Sequence, residues 1–485
     1  MILTIQEVAG FLGTTTGVPE RTVAGYSIDS RTVTPGQLFF AIRGPRFDGH
    51  AFVSEVLEKG AAGAVVEQAF YAGAPGEMRP ALVPVAHTHE ALKRLASAVR
   101  RKWGKRLVAV TGSAGKSTTK ELIAAILGRK LHVLRSPGNL NNEFGLPLAL
   151  LALQPEHDVA VMELAMSAAG EIARLSRLAE PQVGVVTNVA AAHLQFFDSV
   201  DAIARAKREL IDDLATTGPD AVAVLNEDDE RVRRFAEGFP GKVVTFGFSR
   251  QAEYRATGLK SVGERGEFGG RGGPGEAFSV QGPEWKAEFF LPLPGRHNIL
   301  NALAALAASA AAAPLPIPLE DLRGALENFQ NLRQRSEILT LPGEVTVIND
   351  SYNSNPLAME RMLETLAAWP QAQRRIVVAG EMLELGPSSP ELHRAVGRKC
   401  AASGVTWALG VQGDAQFFVE GAAQGGILPG RARFFSDAPS AGEFCRTVTA
   451  PGDVILVKGS RAVHLEKVIE LMKGGSEKRE ARSQK

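Results

Sequence analysis

One short segment constrains the architecture more than any other. The apolar run Leu107-Val108-Ala109-Val110 leads into Thr111-Gly112-Ser113-Ala114-Gly115-Lys116-Ser117-Thr118, and a helical pattern over Lys120–Leu127 follows at once. A buried strand, a glycine turn and a helix in direct succession commit the chain to an α/β architecture with crossover helices. Glycines let the backbone wrap a phosphate, and the amides that open the helix point at the anion. Lys116 is placed to set its charge against β/γ-phosphates, and the Ser117 hydroxyl to ligate Mg²⁺. The spacing is G-x-x-G-K-S, shorter than the long form, which would require glycine where this chain has Val110.

At 485 residues, the chain has room for about three domains of roughly 150 residues each. Lys and Arg number 54 against 53 Asp and Glu, and this balance argues against a partner that is a bulk polyanion such as nucleic acid. The two cysteines, Cys400 and Cys445, cannot build a disulfide framework or a cysteine-rich zinc site. The N-terminus lacks the basic region and long apolar stretch of a secretory signal. The longest apolar run, Ile299–Ala313, contains Asn301 and Ser309, stops at Pro314, and falls short of the roughly 20 residues that a bilayer span needs. A cytoplasmic monomer without membrane insertion is expected.

Composition shifts divide the chain. Short strands over 38–42 and 64–66 and a helix over 52–57 precede a basic segment at 100–106, which marks a junction. Strands are expected over 107–110, 159–162 and 183–186, alternating with helices in a parallel sheet, and again over 345–348, 376–378 and 454–457. The expected division is 1–103, 104–315 and 316–473, with a polar frayed tail over 474–485. The glycine-rich stretch 262–275 reads as an exposed loop or hairpin insertion.

Three polar residues stand where a nucleotide site needs them. Glu163 ends the run Val159-Ala160-Val161-Met162 and should project from the carboxyl edge of the sheet, where ligands collect. A carboxylate there suits Mg²⁺. His193 lies just beyond Val183–Asn188, and Lys207 falls within a helical pattern. Each has a plainer reading when taken alone: a capping or solvated carboxylate, a surface histidine, a solvated helix face. Spacing does not decide whether they converge.

Together these segments resemble the Mur ligase family, the ATP-dependent amide-forming enzymes of peptidoglycan precursor synthesis. Asp29-Ser30-Arg31, Pro35-Gly36, Phe39-Phe40-Ala41, Gly44 and Asp48-Gly49-His50 are similar to the uridine-nucleotide domain of its third and fourth ligases. Glu163, Thr187-Asn188 through His193-Leu194, Ala206-Lys207 and Gly295-Arg296-His297-Asn298-Ile299-Leu300-Asn301 resemble the central domain. Arg335, Asp350 and Lys458-Gly459-Ser460-Arg461 resemble the third domain. Three segments look like the fourth ligase in particular, the one that adds D-alanyl-D-alanine. They are Asn139-Leu140-Asn141-Asn142-Glu143-Phe144-Gly145-Leu146-Pro147, Asp350-Ser351-Tyr352-Asn353-Ser354-Asn355-Pro356 (with Ser354 in place of alanine), and Gly380-Glu381-Met382-Leu383-Glu384-Leu385-Gly386. The D-N-P-R tetrapeptide of the third, diaminopimelate-adding ligase is absent. A folylpolyglutamate-synthetase-like enzyme would lack the 29–52 segment, and a non-catalytic nucleotide-binding regulator would have no need of Lys116, Glu163, His193 and Lys207 together.

The resemblance implies three α/β domains: a small uridine-nucleotide domain, a central phosphate-loop sheet and a Rossmann-like third domain. It implies ATP and Mg²⁺, with two metal ions, as cofactors, and UDP-N-acetylmuramoyl-tripeptide and D-alanyl-D-alanine as substrates. It assigns catalysis to Lys116, Glu163, His193 and Lys207, and metal binding to Ser117, Glu163, His193 and Lys207, with Lys207 carbamylated by CO₂. ATP falls to Gly112, Ser113, Ala114, Gly115, Lys116, Ser117, Thr118, Asn298, Asn301, Arg335 and Asp350. The substrates fall to Ser30, Arg31, Asn141, Asn142, Asn353 and Asn355.

Overall fold

The computed structural model describes residues 1–44, 47–262 and 274–483. Its centre is a nine-stranded sheet. From one edge the strands run Lys286–Leu291, Gly275–Gln281, Tyr254–Val262, Lys242–Gly247, Val222–Asn226, Val183–Val186, Arg106–Thr111, Val159–Glu163 and Val133–Arg135. From Tyr254–Val262 onward every neighbour pairs in parallel, as crossover connections require. The three strands at the first edge pair antiparallel, a meander that the alternation of strand and helix did not anticipate.

Burial on both faces explains the unbroken apolar runs. Leu107 and Ala109 point into one core with Leu95, Leu146, Ile172 and Leu210. Val108 and Val110 point into the other with Leu122, Ile123, Ile299 and Leu303. The run that most resembled a membrane segment is the helix Arg296–Ala312, buried on nearly all sides beneath the sheet, where a helix that is apolar all round belongs. Among the described residues no helix is long and apolar enough to cross a membrane.

The first domain carries a parallel sheet in the order Gly25–Ser27, Gln37–Phe40, Gly63–Glu67, Leu82–Val85, beside a two-stranded ribbon of Leu3–Thr4 and Thr22–Val23. The helix Thr88–Trp103 joins it to the central domain through one continuous apolar core. The third domain has six strands, ordered Glu337–Leu341, Val345–Asp350, Asp453–Lys458, Arg374–Gly380, Trp407–Val411, Ala432–Phe435, all parallel except the first pair. The segment expected to form a glycine-rich insertion is flanked by the antiparallel strands Tyr254–Val262 and Gly275–Gln281, and residues 263–273 lie outside the described residues. The C-terminal backbone is helical over Glu466–Ser483, where a frayed tail was expected.

Candidate active site

Register places the chemistry. In the sheet Val110 is paired with Glu163, and Thr111 with Val186. The carboxyl ends of three adjacent strands therefore deliver the phosphate loop, Glu163 and Thr187-Asn188 to one edge. The loop is braced from below: Ala114 N–H donates to Asn188 Oδ1 at 3.0 Å, and Asn188 Nδ2 donates to the Ala114 carbonyl at 2.9 Å. Gly112 and Gly115 have φ of +149° and +84°, and a Cβ at either would overlap the Thr187 hydroxyl or Asn301 Oδ1. Gly115→Ala should accordingly cost about 1–3 kcal/mol of stability in chemical denaturation and weaken nucleotide binding measured by calorimetry.

The loop forms the floor of a cleft of about 520 Å³ between the central and third domains. Of the residues expected to bind nucleotide, Ser113 to Thr118, Asn298, Asn301, Arg335 and Asp350 all line it. Lys116 Nζ donates to the Gly112 carbonyl at 2.9 Å. Ser117 Oγ donates to Glu163 Oε2 at 2.6 Å, and Asn141 Nδ2 to Glu163 Oε1 at 2.8 Å. Burial pushes the Glu163 carboxyl up, but Lys116, Arg335 and these hydrogen bonds together hold it below the usual carboxylate range. Asn301 Nδ2 donates to Asn298 Oδ1 at 3.2 Å, while Asn298 Nδ2 is held by the Pro294 carbonyl at 2.8 Å.

The third domain supplies the opposite wall. Asp350 Oδ2 accepts from Lys458 Nζ at 2.5 Å, and Lys458 also donates to the Asn353 carbonyl at 2.8 Å. The Arg335 guanidinium lies 4.3 Å from the centre of the Tyr352 ring. Asn355 accepts from Ala358 N–H at 2.8 Å, capping the helix Pro356–Ala367, and its Nδ2 reaches the Ser113 carbonyl at 3.4 Å. A second bridge joins the walls: His193 Nδ1 lies 2.5 Å from Glu384 Oε2, and Gln195 N–H donates to the Glu384 carbonyl at 3.0 Å.

Ser117 and Glu163 are oxygen donors side by side, which suits Mg²⁺, an ion that takes one or two protein oxygens and completes its shell with phosphates and water. No group of three or more His, Cys, Asp or Glu that could hold a metal occurs among the described residues. The contact between His193 Nδ1 and Glu384 orients the ring and leaves Nε2 for the cleft.

Lys207, on the helix Val200–Leu214, is 2% exposed and has no hydrogen-bond or ion-pair partner among the described residues. Burial, with Lys116 nearby, drives its ammonium well below the ordinary lysine value. It does not line the cleft itself. Nor do Asn142, whose Oδ1 accepts from Phe144 and Gly145 N–H in a local turn, or Ser30 and Arg31 on the first domain. Arg31 is paired with Asp29 at 2.7 Å.

Sequence reasoning passed over Lys458, Asn188 and Glu384 as site residues. Lys458 ends a strand beside the one that ends at Asp350, and Asn188 lies two residues beyond a strand that neighbours the phosphate loop, a signal that strand order would have supplied. Glu384 carried a backbone signal that only coordinates show: it and His193 both have positive φ, +63° and +60°.

Comparison with known proteins now decides the lineage. Residues 22–100 match the Mur ligase family catalytic domain, 110–309 the Mur ligase middle domain, and 334–461 the Mur ligase glutamate ligase domain. A Bacillus subtilis UDP-N-acetylmuramoyl-tripeptide–D-alanyl-D-alanine ligase is 32% identical over 470 residues, covering 96% of this chain and 97% of that protein. The chain belongs to the Mur ligase family. Among solved Mur ligases, MurF from Acinetobacter baumannii has a TM-score of 0.83 at 30% identity, covering 97% of this chain and 99% of that one. The Thermotoga maritima MurF ligase in complex with ADP has a TM-score of 0.78 at 27% identity, covering 94% and 99%. Family and fold account together for three α/β domains, two of which meet at the phosphate loop.

Proposed function

We propose that this Mur ligase joins D-alanyl-D-alanine to UDP-N-acetylmuramoyl-tripeptide at the expense of ATP, as a cytoplasmic monomer, with domains divided near residues 103 and 315. The observation that carries the reading is the meeting of the phosphate loop with the Asp350–Pro356 segment across one cleft, through Asn355 and Ser113. The near-full-length identity to ligases of that name supports it.

A carboxylate is a poor electrophile. An oxygen of the tripeptide's terminal carboxylate attacks the γ-phosphorus, the bond to the β-phosphate oxygen breaks, and ADP leaves. The acyl phosphate then receives the dipeptide amine at its carbonyl carbon, phosphate departs, and the amine's proton is lost to solvent. Lys116 and the amides of Gly115 to Ser117 neutralise the phosphates while two anions approach. Mg²⁺, when bound, adds positive charge to the phosphate chain. Ser117 and Glu163 would hold one ion and His193 a second. Asn298, Asn301, Arg335 and Asp350 bind the nucleotide, with Asn141 and Asn353 on the substrate side. Ser30 and Arg31 belong to the uridine-nucleotide end. Closure of the third domain excludes water from the acyl phosphate. Lys207 is carbamylated: its neutral amine forms an N–C bond to CO₂ with loss of a proton, which turns a buried amine, without a partner among the described residues, into an anionic oxygen donor.

Mass spectrometry of the nucleotide product tests the acceptor. The expected product is the tripeptide nucleotide extended by D-alanyl-D-alanine, with diaminopimelate refused. A diaminopimelate adduct on the dipeptide nucleotide would move the chain one step earlier in the pathway.

A further inference from the structure

Resting on that reading, we propose that Glu384 and Arg461 grip the two ends of the zwitterionic acceptor dipeptide, Glu384 its ammonium and Arg461 its carboxylate. The two residues stand on adjoining loops of the third domain's cleft rim. Leu383 N–H donates to Ser460 Oγ at 3.0 Å, and Ser460 N–H donates to the Glu381 carbonyl at 3.1 Å, so the loops are stitched together one residue from each charge. Both charges line the cleft. An extended dipeptide reaches at most about 7 Å, so its two ends call for charges on closely joined segments such as these.

Most of the other charges in the cleft are already committed; Arg361, which also lines it, is largely buried and has no side-chain hydrogen bond or ion pair among the described residues. Lys458 is 2% exposed and tied to Asp350, Lys116 is closed onto the phosphate loop, and Arg335 is stacked on Tyr352 beside it. Glu163 is held by Ser117 and Asn141. Glu384 uses Oε2 on His193, while its Oε1 has no hydrogen-bond partner among the described residues and its side chain is 45% exposed. Arg461 uses Nη1 on Gln334 and Glu466, at 2.8 and 3.2 Å, which fixes the guanidinium plane and leaves Nε and Nη2 without a partner among the described residues. Between them Leu383, a large apolar side chain exposed at this rim, offers a surface for the methyl of an alanine. The left-handed backbone at Glu384 aims the carboxylate inward at a conformational cost, as groups aimed at ligands often are.

Glu384 also touches His193, so the experiment separates acceptor binding from metal-site support. Wild-type enzyme is assayed by phosphate release with D-alanyl-D-alanine and with D-alanyl-D-alaninamide, which lacks the terminal charge. The expected kcat/KM preference for the free acid is about tenfold or more, collapsing in Arg461→Met and partly restored in Arg461→Lys. Glu384→Gln, which keeps a hydrogen-bonding partner for His193, should raise the dipeptide KM about tenfold while leaving the ATP KM and the Mg²⁺ requirement in place. Thermal melts check that each variant is folded. The proposal is overturned if wild type treats acid and amide alike, if Arg461→Met keeps the preference, or if Glu384→Gln shifts the Mg²⁺ requirement in place of the dipeptide KM. Failure of wild type to ligate the dipeptide at all would instead remove the functional reading beneath it.

Discussion

Lys116→Ala is expected to fold normally and to lose about 10³-fold or more of its turnover, the scale on which a cation at a transferring phosphoryl group acts. The Lys116 ammonium is closed onto the Gly112 carbonyl, and burial lowers its affinity for a proton while Glu163 raises it. No neighbour can take its place. Arg335 lies on the opposite wall over Tyr352, and Lys458 is bound to Asp350. Circular dichroism beside an ADP-release assay reads fold and function separately. Substantial turnover in a folded variant would remove the phosphate loop from the mechanism.

For Lys207 the expected pattern is stranger. Lys207→Ala should be folded and reduced by about 10²–10³-fold, a loss typical of removing one charge-stabilising group, with small carboxylates such as acetate restoring part of the activity. Lys207→Arg should be no better than alanine, because arginine keeps its proton and cannot react with CO₂. An ordinary lysine, with a pKa of about 10.4, resists carbamylation because the reaction needs the neutral amine. Burial without a hydrogen-bond or ion-pair partner among the described residues, beside Lys116, lowers its proton affinity and so favours that amine. Carbon-13 NMR in labelled bicarbonate should show a carbamate carbon in wild type and none in Lys207→Ala. If Lys207→Arg keeps most of the wild-type rate, Lys207 is a cation in the mechanism or a packing residue.

Local features carried much of this architecture in plain view. The strand before Gly112, the glycines, Lys116, Ser117 and the following helix are contiguous from Arg106 to Leu127, so their physics is complete within one short stretch of chain. Glu163 was legible because a carboxylate that ends an apolar parallel strand has one edge to face. What stayed hidden depends on convergence. His193 and Glu384 are 191 positions apart, and Lys458 and Asp350 are 108 apart. No periodicity links such pairs; only strand order and domain docking do. Asn142 shows the converse. The resemblance of its segment assigned it to the substrate; in the structure its Oδ1 accepts from the Phe144 and Gly145 N–H groups in a local turn, a bond that spacing alone does not reveal. At the sheet edge the glycine-rich stretch suggested a loop or hairpin, and antiparallel strands do flank it, but the third strand of the meander was missed because alternation of strands and helices says nothing of a run where the helices stop.

The alanines of the helix Arg296–Ala312 act as a spacer of fixed thickness. Ala302, Ala304, Ala305, Ala307 and Ala308 are all buried, and this helix lies directly against the one that begins at Lys116. Small side chains bring the two axes close, and at the head of the pair Asn301 comes to rest so near Gly115 that not even a methyl group fits between them. A bulkier residue buried two turns away would therefore act like a shim beneath an instrument. The helix would tilt, Asn301 would lift from the loop, and damage done deep in the core would be registered at the far end as a change in how ATP is held.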